Sequence, residues 1–307
     1  MSSLSSPHVL LLGASGMLGT YVHDYLTTHN VLVTLITRKE FDAEHDDVSK
    51  LNPYFISVNY VVNCMGIIRQ RNATPSVFIK VNSVFPRLLA MYLSLQHPSV
   101  RFIHISTDCV FDTCPLGSGF VESDSCVADV DLYGQSKYCG EPPEAMTLRT
   151  SIIGEERNNK LSLIEFVKDP SRSECNGYDT HWWNGVTCRQ LASILHYIVT
   201  TGVTWRGVRH VFSPDTLTKY ELVKAINEVF QCGKVIHQTN PLPVCHRVLG
   251  TLYPEFVQQF HIPTIRQQLV DLRSTDDLCS IEEKEGLNDA VSAAKKKCTN
   301  VSNKSVS

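Results

Sequence analysis

Tyr133-Gly-Gln-Ser-Lys137 sets a phenol and an ammonium four residues apart. On a helix that spacing puts both side chains on one face. A free tyrosine titrates near ~10 and is a poor acid at neutral pH, but a cation held beside it favours the phenolate. The pair is therefore a candidate proton donor or acceptor for a carbonyl. The same spacing occurs on many ordinary helix surfaces, so its meaning depends on the elements that position it.

One such element is Arg101-Phe-Ile-His-Ile105, an apolar strand that delivers Ser106-Thr107-Asp108-Cys109-Val110-Phe111-Asp112. In an open parallel sheet, ligands bind just beyond the carboxyl ends of the strands. A hydroxyl there can hydrogen-bond both the phenol and a substrate carbonyl. Thr107 is the candidate, and Ser106 either shares the work or ends the strand in a turn. Asp108 either caps that turn or accepts from a substrate hydroxyl.

The other element opens the chain. His8-Val-Leu-Leu-Leu12 reads as a buried parallel strand, followed by Gly13-Ala-Ser-Gly16-Met-Leu-Gly19. Glycines at this spacing allow a tight turn, close approach to a pyrophosphate at Gly16, Met17 and Leu18, and packing of the next helix, whose N-terminus favours anions. The pattern differs from the Gly-x-Gly-x-x-Gly of simple dehydrogenases. The helix is expected through Met17, Leu18, Tyr21, Val22, Tyr25 and Leu26.

A second strand, Val31–Ile36, ends in Thr37-Arg38-Lys39. An NAD site usually carries an acidic residue here, roughly 20 residues past the glycines. A basic position suits a 2′-phosphate instead, with Arg38 as the contact and Lys39 as helper, unless both are solvated loop charges. NADPH is favoured and NADH is not excluded. Asp47 and Val48 fall in a loop on the adenine side. Val61-Val-Asn-Cys-Met-Gly66 is a further apolar edge, where Gly66 lets the backbone pass close to the cofactor. A long helix is expected from Val77 to Leu95, with Asn82 as a structural bridge.

The 307 residues, 43% hydrophobic and 19% charged with a net charge of -3, describe a globular chain with room for an α/β core and a smaller second domain. That charge offers no nucleic-acid or membrane surface. No apolar run reaches the ~18 residues of a membrane span, and the start lacks the pattern of a signal peptide. The expected location is the cytoplasm. Eleven cysteines are scattered without Cys-x-x-Cys or zinc-ligand spacing, which reads as buried thiols and no metal.

The first half alternates strands and helices, as a Rossmann-type doubly wound parallel sheet requires. The expected organisation is an NADP-binding domain over 1–155 and a smaller, interleaved, mainly substrate-binding part over 156–273, with some segments returning to the core. A polar, disordered tail is expected over 274–307. In the second half, Leu161–Val167 reads as helical and Pro170–Gly177 as a loop. Trp182 and Trp183 suit packing at least as well as stacking on a base. Thr187-Cys-Arg-Gln190 reads as a capping box, Thr218 as the start of a helix through Ile226, and Val235-Ile236 as one short strand. A final helix is expected near Gln268-Leu269.

Taken together, Gly13–Gly19, Ser106–Asp112, Tyr133-Gly-Gln-Ser-Lys-Tyr-Cys-Gly-Glu141 and Leu148-Arg-Thr150 resemble the extended short-chain dehydrogenases/reductases of the dTDP-4-dehydrorhamnose reductase type. The resemblance runs from about residue 8 to about residue 270, most tightly in the first 155. It implies nicotinamide-dependent reduction of the 4-keto group of a nucleotide-activated 6-deoxyhexose, with Tyr133, Lys137 and Thr107 catalytic. It implies a cofactor site of Gly13, Ser15, Gly16, Met17, Leu18, Gly19, Arg38, Asp47, Val48, Cys64, Met65, Gly66, Ile105, Tyr133 and Lys137. Substrate contacts fall on Thr107, Asp108 and Cys109.

The family commonly has tyrosine where this chain has Cys109. A narrower branch is more similar, sharing Asn63–Gln70, Cys109 and Trp183–Thr187. It acts on UDP-2-acetamido-2,6-dideoxy-hexos-4-uloses on the way to N-acetyl-6-deoxy-L-hexosamines. Some members add an epimerase-like barrel; without one, reduction alone is expected. dTDP-4-dehydrorhamnose is the alternative substrate. Epimerases and dehydratases share the scaffold, but dehydratases need further acid–base groups than this motif offers. A non-catalytic role, like that of the regulatory subunit of methionine adenosyltransferase, is the alternative of another class. The partner expected is the nucleotide sugar, with homodimerisation left open.

Overall fold

The computed structural model describes residues 6–113, 119–126, 131–157 and 160–274. Strands β1 (His8–Leu12), β2 (Leu32–Ile36), β3 (Tyr60–Asn63), β4 (Arg101–Thr107), β5 (Met146–Thr150) and β6 (Gly207–His210) form a six-stranded sheet in the order β6-β5-β4-β3-β1-β2. Every pairing in it is parallel. The order reverses at β1, with β2 on one side and β3 on the other, so a crevice opens beyond the carboxyl ends of β1 and β3.

Side chains along β1 alternate between two buried faces. Val9 and Leu11 meet Leu18, Val22 and Leu26 of the Met17–Thr28 helix and Leu191, Leu195 and Ile198 of the Cys188–Thr201 helix. Leu10 and Leu12 face Phe41, Leu51, Phe55, Phe85 and Leu89. Fully burying one such side chain contributes about 1.5–3 kcal/mol, and this two-sided burial explains why β1 reads as a continuous apolar run.

The expected long helix is present, but its middle widens. Pro75–Phe78 and Phe85–Gln96 are α-helical, and Ile79–Val84 between them is a π-helix. Such widenings often mark functional sites. Here it carries Asn82, whose side chain donates to Ile67 O at 2.9 Å and to Ser136 Oγ at 3.1 Å and accepts from Ile67 N at 2.8 Å. Asn82 is thus a structural bridge to the Leu132–Cys139 helix. A Cβ on Gly140 would lie 1.8 Å from Asn82 O, so only glycine lets the two helices meet this closely.

The second half departs from the sequence reading in two places. Residues 174–177, expected in a loop, form with Tyr178 the strand Glu174–Tyr178, paired in parallel with Val235–Thr239, a longer strand than Val235-Ile236. Glu-Cys-Asn-Gly carries little strand propensity of its own; its ladder comes from a segment some sixty residues away. The Thr187 capping box is only half made. Its hydroxyl accepts from Gln190 N, but its own N–H donates to Gln268 Oε1 at 3.0 Å. Trp183 is buried and packs with Leu222 and Ile226, as the packing reading requires. The tail begins at Ser274, where the final helix 265–274 reaches the edge of the described residues; the rest lies outside them.

Thr218 makes the complete box: its hydroxyl accepts from Glu221 N at 3.2 Å, and Glu221 Oε2 accepts from Thr218 N at 2.8 Å. Thr218→Ala should destabilise the protein by about 1 kcal/mol. The check is the urea midpoint, with an unchanged slope.

Candidate active site

The glycine turn follows β1. Gly13 has φ +78°, and a Cβ there would press on Met65 N at 2.9 Å. Its N–H donates to Ile36 O at 3.1 Å, tying the turn to the end of β2. A Cβ on Gly19 would lie 2.1 Å from Gly13 O, so the helix rests directly on the turn. Gly16 is the N-cap and supplies no side chain, leaving the first N–H groups of the helix open to an anion. Beyond β3, Gly66 is a bare stretch of backbone whose Cβ position is 3.6 Å from Asn82 Oδ1 and 4.0 Å from Lys137 Nζ. A glycine turn, an uncapped helix and a bare Gly66 beside a lysine fit a dinucleotide lying across the sheet end.

Other expected cofactor residues have local roles. Arg38 is exposed and donates to Asp42 Oδ2 at 3.0 Å and Glu44 Oε2 at 3.4 Å. Asp47 caps the Val48–Tyr54 turn, accepting from Ser49 N at 2.9 Å. Val48 is buried against Leu51 and Phe55. Met65 N donates to Asn63 Oδ1 at 3.0 Å. Cys64 stands near Lys137, and burial pushes its thiol up to about 12.

The catalytic candidates meet at the carboxyl end of β4. Asp131 caps the Leu132–Cys139 helix, accepting from Gly134 N at 3.0 Å, and thereby fixes where Tyr133 emerges. The Tyr133 phenol hydrogen-bonds Thr107. Thr107 Oγ1 also accepts from Cys109 N at 3.2 Å and donates to Asp108 Oδ1 at 3.1 Å, so one hydroxyl both ends the strand and meets the phenol. Buried Lys137 donates to Ile105 O at 2.6 Å.

One open reading and one expectation come out differently from the sequence. Ser106, open in the sequence between sharing the work of Thr107 and ending the strand in a turn, turns inward and donates to Glu141 Oε1 at 2.6 Å. Lys137 is not among the leading influences on the phenol. Burial pushes Tyr133 above its ordinary value, with Cys109 adding to it, and the Thr107 hydrogen bond and the Arg69 guanidinium pull the other way. Lys137 itself is lowered by burial to about 8, with Glu141 and Cys64 opposing. Burial thus favours a neutral phenol, a proton donor.

Three cations complete the site without having been singled out in the sequence. Arg69 lies 5.7 Å from the Tyr133 ring centroid and donates to Asp131 Oδ1 at 3.0 Å. Arg247 donates to Asp112 O at 3.0 Å and approaches Cys109 Sγ at 3.7 Å. Lys219 stands over the Trp183 ring at 5.1 Å, close enough to Asp108 and Cys109 to feel both, and burial lowers its pKa. Arg69 lay within the Asn63–Gln70 segment. Lys219 and Arg247 carry no local signal; only folding brings them over one hundred residues to Cys109.

Fold and site define a Rossmann-type protein with a Tyr-x-x-x-Lys centre. The RmlD substrate binding domain family matches residues 7–252, and the chain belongs to it. A dTDP-4-keto-6-deoxy-D-glucose reductase of Streptomyces niveus is 26% identical over 266 residues, covering 82% of this chain and 88% of the relative. A dTDP-4-dehydrorhamnose reductase from Clostridium acetobutylicum has the same fold with a TM-score of 0.75 at 18% identity, over 88% of this chain and 99% of that one. One from Bacillus anthracis in complex with NADP has a TM-score of 0.74, also at 18% identity, with the same coverage.

Glu141 and Arg149 form a buried bidentate pair, Nε–Oε1 2.8 Å and Nη2–Oε2 2.7 Å. Glu141→Gln should cost about 3–5 kcal/mol, because the guanidinium is left buried without its counter-charge; thermal and urea unfolding measure it. Lys137 loses its charge as pH rises through about 8. Any activity needing that ammonium should therefore fall above about pH 8 in kcat/KM; a profile flat to pH 10 contradicts the assignment.

Proposed function

We propose that this protein reduces the 4-keto group of a nucleotide-activated 6-deoxyhexose, using NADPH in preference to NADH. The observation that carries the reading is the neutral Tyr133 phenol, hydrogen-bonded to Thr107 at the carboxyl end of β4, with buried Lys137 beside Gly66. Membership of the RmlD family supports it.

A nicotinamide bound across the sheet end would supply the hydride. Tyr133 gives its proton to the oxygen of the developing alkoxide, and Thr107 holds that oxygen and the phenol in line. The Thr107 hydroxyl and Arg69, which faces the same ring, offset the negative charge left on the phenolate. Gly13, Ser15, Gly16, Met17, Leu18 and Gly19 take the pyrophosphate end of the cofactor, and Cys64, Met65, Gly66 and Ile105 border its path. Lys219 and Arg247 bring positive charge to the side of Cys109. That charge suits the diphosphate of a nucleotide sugar.

Within this class we favour a UDP-2-acetamido-2,6-dideoxy-L-hexos-4-ulose. Cys109, the residue that resembles the amino-sugar branch, donates from its N–H to Thr107 Oγ1 and meets Arg247 through its sulfur, so it sits within the candidate site. The named relatives support dTDP-4-dehydrorhamnose as the second reading.

The test is NADPH oxidation by the purified protein with each sugar in turn. Preferential turnover of the UDP amino-sugar is expected, and preference for the dTDP sugar selects the second reading. Tyr133→Phe should lower kcat by about 100-fold or more, with the NADPH dissociation constant near normal. Tight dinucleotide binding without turnover of either sugar would move the protein to the non-catalytic class.

A further inference from the structure

The carboxyl end of β2 is where the adenosine ribose of a bound dinucleotide would lie, since Ile36 O accepts from both Gly13 N at 3.1 Å and Ala14 N at 3.4 Å. Arg38 is two residues beyond it, beside the glycine turn. Its guanidinium is not held ready for a ligand. Nε donates to Asp42 and Nη2 to Glu44. From the other side, His45 Nδ1 is 3.2 Å from Asp42 Oδ2 and Nε2 is 3.7 Å from Glu44 Oε1.

The two partners differ in freedom. The Arg38 side chain is 70% exposed, whereas those of Asp42 and Glu44 are 25% and 21% exposed. Asp42 Oδ1 also accepts from Glu44 N at 3.0 Å, and Asp42 N donates to Asp46 Oδ2 at 2.8 Å. Burial works against the Asp42 carboxyl, yet the Glu44 N–H, His45 and Arg38 hold it below the usual carboxylate range. The Asp42 carboxylate is anchored by backbone, and both carboxylates are less exposed than Arg38; the guanidinium is the arm that can swing. Glu40, nearby, accepts from Thr37 N at 2.8 Å, so Thr37 is engaged as well.

We propose that Asp42 and Glu44 are specificity-determining residues: they latch Arg38 and thereby weaken binding of a 2′-phosphate relative to a 2′-hydroxyl. The inference rests on the cofactor reading above and qualifies its preference for NADPH. A 2′-hydroxyl leaves the latch closed. A 2′-phosphate must draw Arg38 off two carboxylates and then sit near them. Each exposed ion pair contributes only about 0–1 kcal/mol, so the latch tempers the preference without abolishing phosphate binding. Both terms weaken with salt.

The test measures dissociation constants of NADPH and NADH for the full-length protein by nucleotide fluorescence, without turnover. The Asp42→Asn/Glu44→Gln variant keeps the shapes and one acceptor oxygen on each side chain while removing both charges. It should bind NADPH about 5- to 10-fold more tightly and NADH unchanged, with the gain shrinking at high salt. Arg38→Ala should weaken NADPH alone. Unchanged NADPH affinity in the double variant, or an equal change for both nucleotides, overturns the latch while the cofactor reading stands. If the unaltered protein binds neither nucleotide, the cofactor reading falls and the latch with it. Asp42→Asn alone, with a smaller gain in the same direction, guards against misfolding of the double variant.

Discussion

The buried Arg149–Glu141 ion pair holds the site together. It joins β5, which carries Arg149, to the end of the Leu132–Cys139 helix, where Glu141 follows Gly140. Ser106 adds the end of β4 by donating to the same carboxylate, and Phe111, just past Thr107, lies with its ring centroid 5.1 Å from the guanidinium carbon. Two charges taken out of water cost several kcal/mol each, so such a pair adds little to stability by itself. Its effect is on geometry: the strand carrying Thr107 and the helix carrying Tyr133 share one rigid anchor. Arg149 Nη1 finds no hydrogen-bond partner among the described residues, and the ring face of Phe111 partly replaces one.

Burial around that anchor also sets the proton chemistry. Desolvation disfavours whichever form is charged, so it drives the Tyr133 phenol up and the Lys137 ammonium down, toward neutral forms of both. A carbonyl reduction needs a neutral acid that becomes an anion as the alkoxide is quenched. The free site is prepared for the first state, and the cations near the ring, Arg69 foremost, favour the second. The lysine's ammonium meanwhile donates to the Ile105 carbonyl, held at the height of Gly66.

Much of this was legible in the sequence, for physical reasons particular to each part. β1 is buried on both faces and so is apolar without interruption; the glycine turn has to be glycine because Gly19 and Gly13 collide otherwise. Thr107, Tyr133 and Lys137 lie on elements whose period and ends the local sequence marks. Ser106 was ambiguous because an inward and an outward hydroxyl at a strand end look alike until the buried carboxylate of Glu141 is placed. The strand Glu174–Tyr178 was hidden because its ladder is supplied by a distant partner. Lys219 and Arg247 were hidden for the same reason, since a cation's role depends on what lies across the cleft.

The two ends of the crevice handle charge in opposite ways, and that contrast bears on selectivity. Beyond β2 the cation Arg38 is exposed and matched by fixed carboxylates, so its net field on an incoming phosphate is small and easily screened. Beside Cys109 the cations are more enclosed: Lys219 is lowered by burial and packed on Trp183, and Arg247 is tied to the Asp112 carbonyl. Partly desolvated charges act through a lower effective dielectric and are felt more strongly. On the proposed reading, anion recognition is concentrated at the substrate end and diluted at the adenosine end.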